Sequence, residues 1–100
     1  MSEALEITTF RLVPGLSVAD FVAANEDIDA YLRRRPGFRW RRISEAEDGT
    51  IIDIVAWDSA ADGRRSAAGI MTEMADSPVH DTIDQSTVDF RIVPVLQQTS

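Results

Sequence analysis

A chain of 100 residues is long enough for one hydrophobic core and too short for two ordinary domains, so a single domain over residues 1–100 is predicted. Its 17 acidic residues outnumber the 10 basic ones, and the formal net charge of -7 disfavours nucleic acid as a partner. Cysteine is absent, which excludes disulfides and thiolate chemistry, and no apolar run reaches membrane-spanning length. We expect a cytoplasmic protein with no membrane partner.

The first half of the chain predicts a strand, a helix and a hairpin. Residues 3–13 are rich in β-branched and aromatic types and end at a Pro-Gly turn signal. A Ser17-x-x-Asp20 capping box then predicts a helix over residues 18–34. Strands over 38–44 and 51–57 flank Asp48-Gly49, a strong hairpin signal. A two-residue turn there would make Trp40 and Trp57 cross-strand neighbours and would pair Arg42 with Val55.

The second half predicts one more helix and a last strand. A second Ser-x-x-Asp start, at Ser59, precedes a helical pattern over residues 60–75 that is rich in alanine. The segment "SPVHDTID" has room for one or two helical turns, with Pro78 at the first helical position. Residues 87–96 then read as a strand.

This order of strand, helix, strand, strand, helix, strand is typical of the α+β class, in the form of a ferredoxin-like βαββαβ sandwich with an antiparallel sheet. In that topology the first and third strands are central. The second strand is rich in arginine and the fourth contains Pro94, as expected of edge strands.

Apolar residues occur on both predicted faces of the sheet. We expect one face to carry Phe10, Leu12, Ile52, Ile54, Val88, Phe90 and Ile92, and the other to carry Leu5, Ile7, Val55, Trp57, Val93 and Val95. Two helices can cover only one face of a four-stranded sheet. A homodimer formed through the second face is therefore expected.

Several short stretches carry a resemblance to a known family. "YLRRRPGFRWRRI", the "EDGT" hairpin, and "IIDIVAWDSAAD" entering an alanine-rich helix resemble the dimeric α/β-barrel superfamily, in particular its antibiotic-biosynthesis-monooxygenase-like members. The resemblance implies a dimer with a cavity between sheet and helices, beside which Trp57 would lie. Such proteins include cofactor-independent oxygenases of aromatic polyketides and quinols, and haem-degrading enzymes. The haem-degrading pattern does not extend to this chain, because the first strand lacks its asparagine and the second helix lacks its histidine.

The candidate ligand-binding residues are six side chains, each with a simpler structural interpretation: Trp57, Asn25, Tyr31, Trp40, His80 and Arg42. Trp40 and Trp57 would wall the cavity or belong to the core or dimer interface. Asn25 and Tyr31 lie on the first helix, where a polar group near the apolar stripe needs a partner that a ligand or water can supply. His80, the only imidazole, is expected to be a surface or capping residue rather than a general base.

The arginine-rich stretch "RRRPGFRWRR" is the remaining feature of interest. Its first arginines complement the end of a helix dipole and its last ones protect an edge strand, so a structural role is preferred over nucleic-acid binding. Arg39 or Arg42 remains a candidate for holding a ligand carboxylate or phenolate. Asp53 interrupts a central strand and needs a cation, for which Arg42 is the expected partner and Arg91 an alternative, in an ion pair at the dimer interface.

Three functions remain open on these grounds. The preferred one is a small-molecule-binding protein with an apolar cavity between sheet and helices, and the alternative is a cofactor-independent monooxygenase acting on aromatic polyketides or quinols. The third is a structural or regulatory dimer with a filled interior. No catalytic set is identified, and no cofactor or metal is expected, because one histidine with scattered carboxylates has no ligand spacing.

Overall fold

Helices cover one face of a four-stranded antiparallel sheet in the computed structural model, which describes residues 2–100. The strand order confirms the ferredoxin-like topology, because the first and third strands are central and the second and fourth lie at the edges. The elements in chain order are β1 Ala4–Leu12, α1 Val18–Ala24, α2 Glu26–Arg33, β2 Phe38–Glu45, β3 Ile51–Trp57, α3 Ala60–Thr72, a 3-10 helix Pro78–Thr82, and β4 Ile83–Pro94.

Both predicted helix starts are confirmed by their capping hydrogen bonds. The Asp20 amide donates to Ser17 Oγ over 3.1 Å and the Ser17 amide donates to Asp20 Oδ2 over 2.9 Å, which completes the capping box of α1. At α3, the Asp62 amide donates to Ser59 Oγ over 3.2 Å. These bonds satisfy amides that would otherwise lack a partner in the first turn.

The first helical region is two helices rather than the single helix predicted over 18–34. The chain bends at Asn25, whose ψ of 0° ends α1 before α2 begins. The Asn25 side-chain amide donates to the carbonyl of Phe21 over 2.7 Å, a local bond that competes with regular helix geometry. The bend turns the Asn25 side chain into the space between helices and sheet, where it is 1% exposed.

The β2–β3 hairpin has a three-residue loop, so the predicted register is wrong by one residue. The Ala46 amide donates to the Thr50 carbonyl over 2.9 Å, and Gly49 takes a φ of +88°. This is a type I turn closed by a glycine in the left-handed region. Trp40 pairs with Ala56 and a bulge follows toward Phe38, so Trp40 and Trp57 lie on opposite faces.

The assignment of β3 to the two faces of the sheet was also wrong. Phe10 pairs with Ile51 and Thr8 with Asp53, so the helix-facing residues of β3 are Ile51, Asp53, Val55 and Trp57. Ile52 and Ile54 lie instead with Leu5 and Ile7 on the face that the helices do not cover, which we call the open face. Alternation fixes which residues of one strand share a face, but not how neighbouring strands are matched.

The second half of the chain agrees with prediction except at element ends. α3 ends at Thr72, three residues earlier than expected, and β4 begins at Ile83, four residues earlier. The segment between them forms a 3-10 helix with Pro78 at its start, as predicted. The core between helices and sheet centres on fully buried residues that include Phe10, Phe21, Leu32, Ile51 and Trp57.

Candidate functional site

A cavity of about 490 Å³ lies between the helix-facing side of the sheet and the helices. Its apolar walls come mainly from Phe10, Phe21, Ile28, Val79, Ile83 and Phe90. The small side chains of Ala67 and Ala68 on α3 leave this space unfilled. Met71 and Phe90, also in the lining, are 70% and 46% exposed, so the cavity opens to solvent between α3 and β4.

Glu6 places a carboxyl group in the lining of this cavity. It is only 8% exposed, because it lies on central strand β1 on the same side as Phe10. Trp57 Nε1 donates a hydrogen bond of 3.0 Å to Glu6 Oε1. Burial raises the pKa of Glu6 to about 7, and the charge of Asp53 adds to the rise, although the Trp57 bond and Arg41 act in the opposite direction. Glu6 therefore changes charge near neutral pH.

An ion-pair network lies beside Glu6. Arg41 Nε and Nη2 donate to the two carboxylate oxygens of Asp53 over 3.0 and 2.6 Å, and Nη1 donates to Asp29 over 2.9 Å. Burial lowers the pKa of Arg41, but the hydrogen bonds and charges of the two aspartates outweigh it and raise that pKa. The guanidinium is thus permanently charged and neutralised within the protein.

This network corrects the predicted pairing of Asp53 with Arg42 or Arg91. The shifted hairpin register places Arg41 on the helix-facing side, next to Val55, and turns Arg42 to the open face. The ion pair therefore lies in the cavity lining rather than on the face predicted to form the dimer interface.

Asn25 contributes a buried polar atom without a partner. Its side-chain nitrogen is used by the Phe21 carbonyl, and its Oδ1 receives no hydrogen bond from any of residues 2–100. Asn25 belongs to the cavity lining, and its Oδ1 is a buried acceptor without a protein donor.

His80 reaches the cavity from the 3-10 helix. Its Nε2 lies 2.8 Å from the carbonyl oxygen of Met74. A carbonyl oxygen only accepts hydrogen bonds, so Nε2 carries the proton in this contact and Nδ1 of the neutral ring is left as an acceptor.

The other four predicted ligand-binding residues are not in the cavity lining. Trp57 lies behind Glu6 and packs edge-to-face against Phe38, with ring centroids 5.8 Å apart. The Tyr31 hydroxyl donates to the Ser66 carbonyl over 3.1 Å. Trp40 and Arg42 stack on each other on the open face, 4.6 Å from guanidinium carbon to ring centroid. Binding by Asn25 and His80 remains a prediction that their location supports.

Most arginines of the arginine-rich stretch have a partner within the same chain. Arg39 bonds Glu3 and Asp58 over 2.9 and 3.1 Å, while Arg35 lies 5.1 Å from the Tyr31 ring centroid. Together with Arg41 and Arg42, four of its six arginines have an acidic or aromatic partner. Arg39 is thus occupied and does not face the cavity.

Two further findings concern residues 2–100 as a whole. They contain no group of three or more histidine and carboxylate side chains placed to hold a metal ion. Within the same residues, no helix has the length and hydropathy that a membrane crossing requires.

Glu6 and Arg41 were missed by sequence reasoning. The signal in the sequence is the alternation of side chains along β1. Every second residue faces the helices, and these residues are Ala4, Glu6, Thr8 and Phe10. A carboxylate that shares a face with a core phenylalanine on a central strand is predicted to be buried.

Comparison with known proteins identifies the fold. No protein-family model matches the chain, and no curated protein matches it. Among solved structures, SnoaB from Streptomyces nogalater, described as a cofactor-independent oxygenase, is similar with a TM-score of 0.76 and 17% identity over 98% of this chain and 97% of that one. Rv0793 from Mycobacterium tuberculosis has a TM-score of 0.73 and 17% identity over 99% of this chain and 100% of that one.

A candidate antibiotic biosynthesis monooxygenase from Nitrosomonas europaea gives a TM-score of 0.74 and 16% identity over 99% of this chain and 95% of that one. These matches span essentially the whole of each chain. The protein therefore has the fold of the antibiotic-biosynthesis-monooxygenase-like structures, as the resemblance in its sequence predicted.

Proposed function

We propose that the protein binds a small, largely apolar molecule in the cavity between sheet and helices. The observation that carries this proposal is the cavity itself, which combines apolar walls, an opening to solvent and a few buried polar groups. That combination is typical of small-molecule sites. The helices and the sheet enclose a cavity, whereas a purely structural dimer is expected to have a filled interior.

Cavity filling tests this proposal. Ala67→Leu adds side-chain volume inside the cavity, whereas Ala61→Leu makes the same change at an exposed position of α3 outside it. We expect saturable binding of the apolar dye Nile red, followed by fluorescence, and a loss of about tenfold in affinity for Ala67→Leu only. Absence of saturable binding, or an equal effect of both substitutions, would contradict the proposal. Native mass spectrometry of the purified protein would show any ligand that co-purifies.

A cofactor-independent monooxygenase is the second candidate, and Glu6 is the observation that favours it. A buried carboxylate with a pKa of about 7 can take a proton from an activated methylene group of an aromatic ketone. Oxygen would then oxidise the resulting carbanion, a C–O bond would form to give a hydroperoxide, and loss of water would leave a carbonyl group. The protein would contribute orientation and a dry cavity.

Dissolved oxygen followed with a panel of anthrones and quinols tests this second candidate. We expect oxygen consumption that depends on Glu6 and is lost in Glu6→Gln. Consumption no faster than without protein would exclude the oxygenase but leave the binding function untouched. The similarity to SnoaB, described as a cofactor-independent oxygenase, supports oxygen consumption as the quantity to measure.

A homodimer formed through the open sheet face is also proposed. That face carries Leu5, Ile7, Ile52 and Ile54 with no helix over them, and Val93 is 37% exposed. A second copy across a two-fold axis would cover this apolar surface. Light scattering should give twice the chain mass, and Ile52→Glu should give the monomer. A monomer for the unmodified protein at micromolar concentration would refute the dimer. A cytoplasmic location stays a prediction.

A further inference from the structure

The Glu6 carboxyl is a buried acid of the cavity lining with one unused oxygen. Glu6 is 8% exposed, and the one hydrogen bond that residues 2–100 give its carboxyl comes from Trp57, to Oε1. Oε2 receives none, yet it is not among the polar atoms of these residues that are both fully enclosed and without a partner. It therefore keeps some accessible surface. Because Glu6 lines the cavity, Oε2 is the atom through which this side chain can meet a ligand.

The charged groups around Glu6 leave it without a countercharge. Strand β3 contributes Asp53 to the lining and β2 contributes Arg41, whose Nε, Nη1 and Nη2 are taken by Asp53 and by Asp29 of α2. The 3-10 helix contributes His80, whose remaining ring nitrogen is an acceptor in the neutral form. In the lining described for residues 2–100, α1, α3 and β4 contribute no charged side chain. When Glu6 is ionised, three carboxylates thus accompany one guanidinium.

The surroundings of Glu6 would favour a positive charge at Oε2. Burial is the main reason that the pKa of Glu6 rises to about 7, and the charge of Asp53 adds to the rise. A cation at this oxygen would supply the countercharge that the protein lacks, in a site of low dielectric constant where charge interactions are strong. Phe10, Phe21 and Phe90 wall the same space, and the faces of aromatic rings attract cations.

We propose that the cavity binds an apolar amine, whose ammonium group donates a hydrogen bond to Glu6 Oε2 while its apolar frame fills the space between sheet and helices. This inference rests on the proposed binding function and specifies its ligand class. Glu6 is the one carboxyl group in the lining described for residues 2–100 without a cationic partner, because Asp53 is paired with Arg41. A ligand carboxylate would instead be repelled by Glu6 and Asp53, and Arg41 is already engaged.

Three probes with the same aromatic frame test this charge preference by calorimetry at pH 8. They are naphthylethylamine, naphthylethanol and naphthylacetate. At this pH the amine is protonated and Glu6 is mostly ionised. We expect the amine to bind at least about tenfold more tightly than the alcohol, because a hydrogen bond between charged groups is stronger than one to a neutral group. Naphthylacetate should bind most weakly.

The pH dependence of binding gives a second measurement. A proton and the ammonium group compete for the same carboxylate. The affinity for the amine should therefore rise about tenfold between pH 6 and pH 8, as Glu6 ionises. The affinity for the alcohol, which carries no charge, should not rise over this range.

Glu6→Gln identifies the partner of the ammonium group. Glutamine keeps an oxygen for the Trp57 donor but carries no charge. We expect it to remove both the preference for the amine and the rise in amine affinity with pH. His80 is retained in this variant, so a rise that persists would belong to His80 and would contradict the proposal. Glu45→Gln makes the same charge change at an exposed position of β2 outside the cavity and should alter neither quantity.

The outcomes separate this inference from the function on which it rests. Equal affinity for all three probes, tightest binding of the alcohol or of naphthylacetate, or an amine preference that persists in Glu6→Gln would overturn the ammonium site while ligand binding stands. The same holds if Nile red binds and the amine does not. If neither the dye nor any probe binds, the proposed function fails and this inference fails with it. Thermal melting of each variant verifies that it is folded.

Discussion

Glu6→Gln should increase the stability of the protein, and only above the pH at which the unfolded carboxyl ionises. Burial raises the pKa of Glu6 from 4.5 to about 7 in the folded protein. Between these values the folded state holds a proton that the unfolded state has released. The free energy of unfolding therefore falls as pH rises through this window. Glutamine resembles the protonated carboxyl and carries no such cost.

The size of the effect follows from the two pKa values. A difference from 4.5 to about 7 corresponds to about 3 kcal/mol of unfolding free energy. We expect the variant and the unmodified protein to differ little at pH 4.5, and the variant to be more stable by up to about 3 kcal/mol at pH 8.5. Asp20 and Asp48 have lowered pKa values from local hydrogen bonds, so stability from them is lost as pH falls. Both proteins contain them, and their effect cancels in the comparison.

Urea unfolding at a fixed protein concentration, repeated across this pH range, measures the difference directly. Glu45→Gln, on the exposed edge of the sheet, is the control and should show no comparable pH-dependent gain. A Glu6→Gln effect that is constant with pH, or that destabilises at pH 8.5, would refute the argument from burial. Trp57→Phe removes the hydrogen bond that lowers the pKa of Glu6. The pKa of Glu6 should therefore rise, and the midpoint of the pH-dependent loss of stability should move to higher pH.

Three further substitutions test an ion pair, a close contact and a turn of the fold, each by urea unfolding. Asp53→Asn should destabilise the protein by about 3 kcal/mol, because Arg41 keeps only Asp29 in a buried setting; a loss below 1 kcal/mol would contradict this. Gly69→Ala should cost about 1–3 kcal/mol because its Cβ would overlap the Tyr31 hydroxyl, and Tyr31→Phe should relieve part of the loss. Gly49→Ala should cost about 1 kcal/mol, since its φ of +88° suits glycine; no change would show that the turn adapts.

The fold could be predicted from the sequence because its signals are local. The caps at Ser17 and Ser59 and the turn at Asp48-Gly49 each place an element end without knowledge of the rest of the chain. Register depends on how many residues the loop holds, and Asp-Gly suits both a two- and a three-residue loop. The one additional loop residue shifts the register, so that Arg41 rather than the predicted Arg42 is the partner of Asp53.

The site was predicted in part, and the missing part has a physical reason. Asn25 and His80, which line the cavity, could be singled out because a polar residue near an apolar stripe and a lone imidazole stand out in a sequence, and their binding role stays a prediction. Glu6 does not, because a carboxylate in an alternating strand normally faces solvent. Its burial follows only when two facts are combined. β1 is a central strand, and Glu6 lies on the same face of that strand as the buried Phe10.

The central position of β1 and the burial of Glu6 explain why the Glu6 carboxyl accepts a hydrogen bond from Trp57. A central strand places its helix-facing residues beneath the helices, so a carboxylate there loses most of its hydration and needs a donor. The neighbouring strand β3 supplies one, since the register that pairs Glu6 with Val55 leaves the Trp57 indole within 3.0 Å of the carboxyl. One hydrogen bond does not restore the lost hydration, and the raised pKa is the result. Trp57 therefore donates to the carboxyl group that lines the cavity and does not itself belong to the lining.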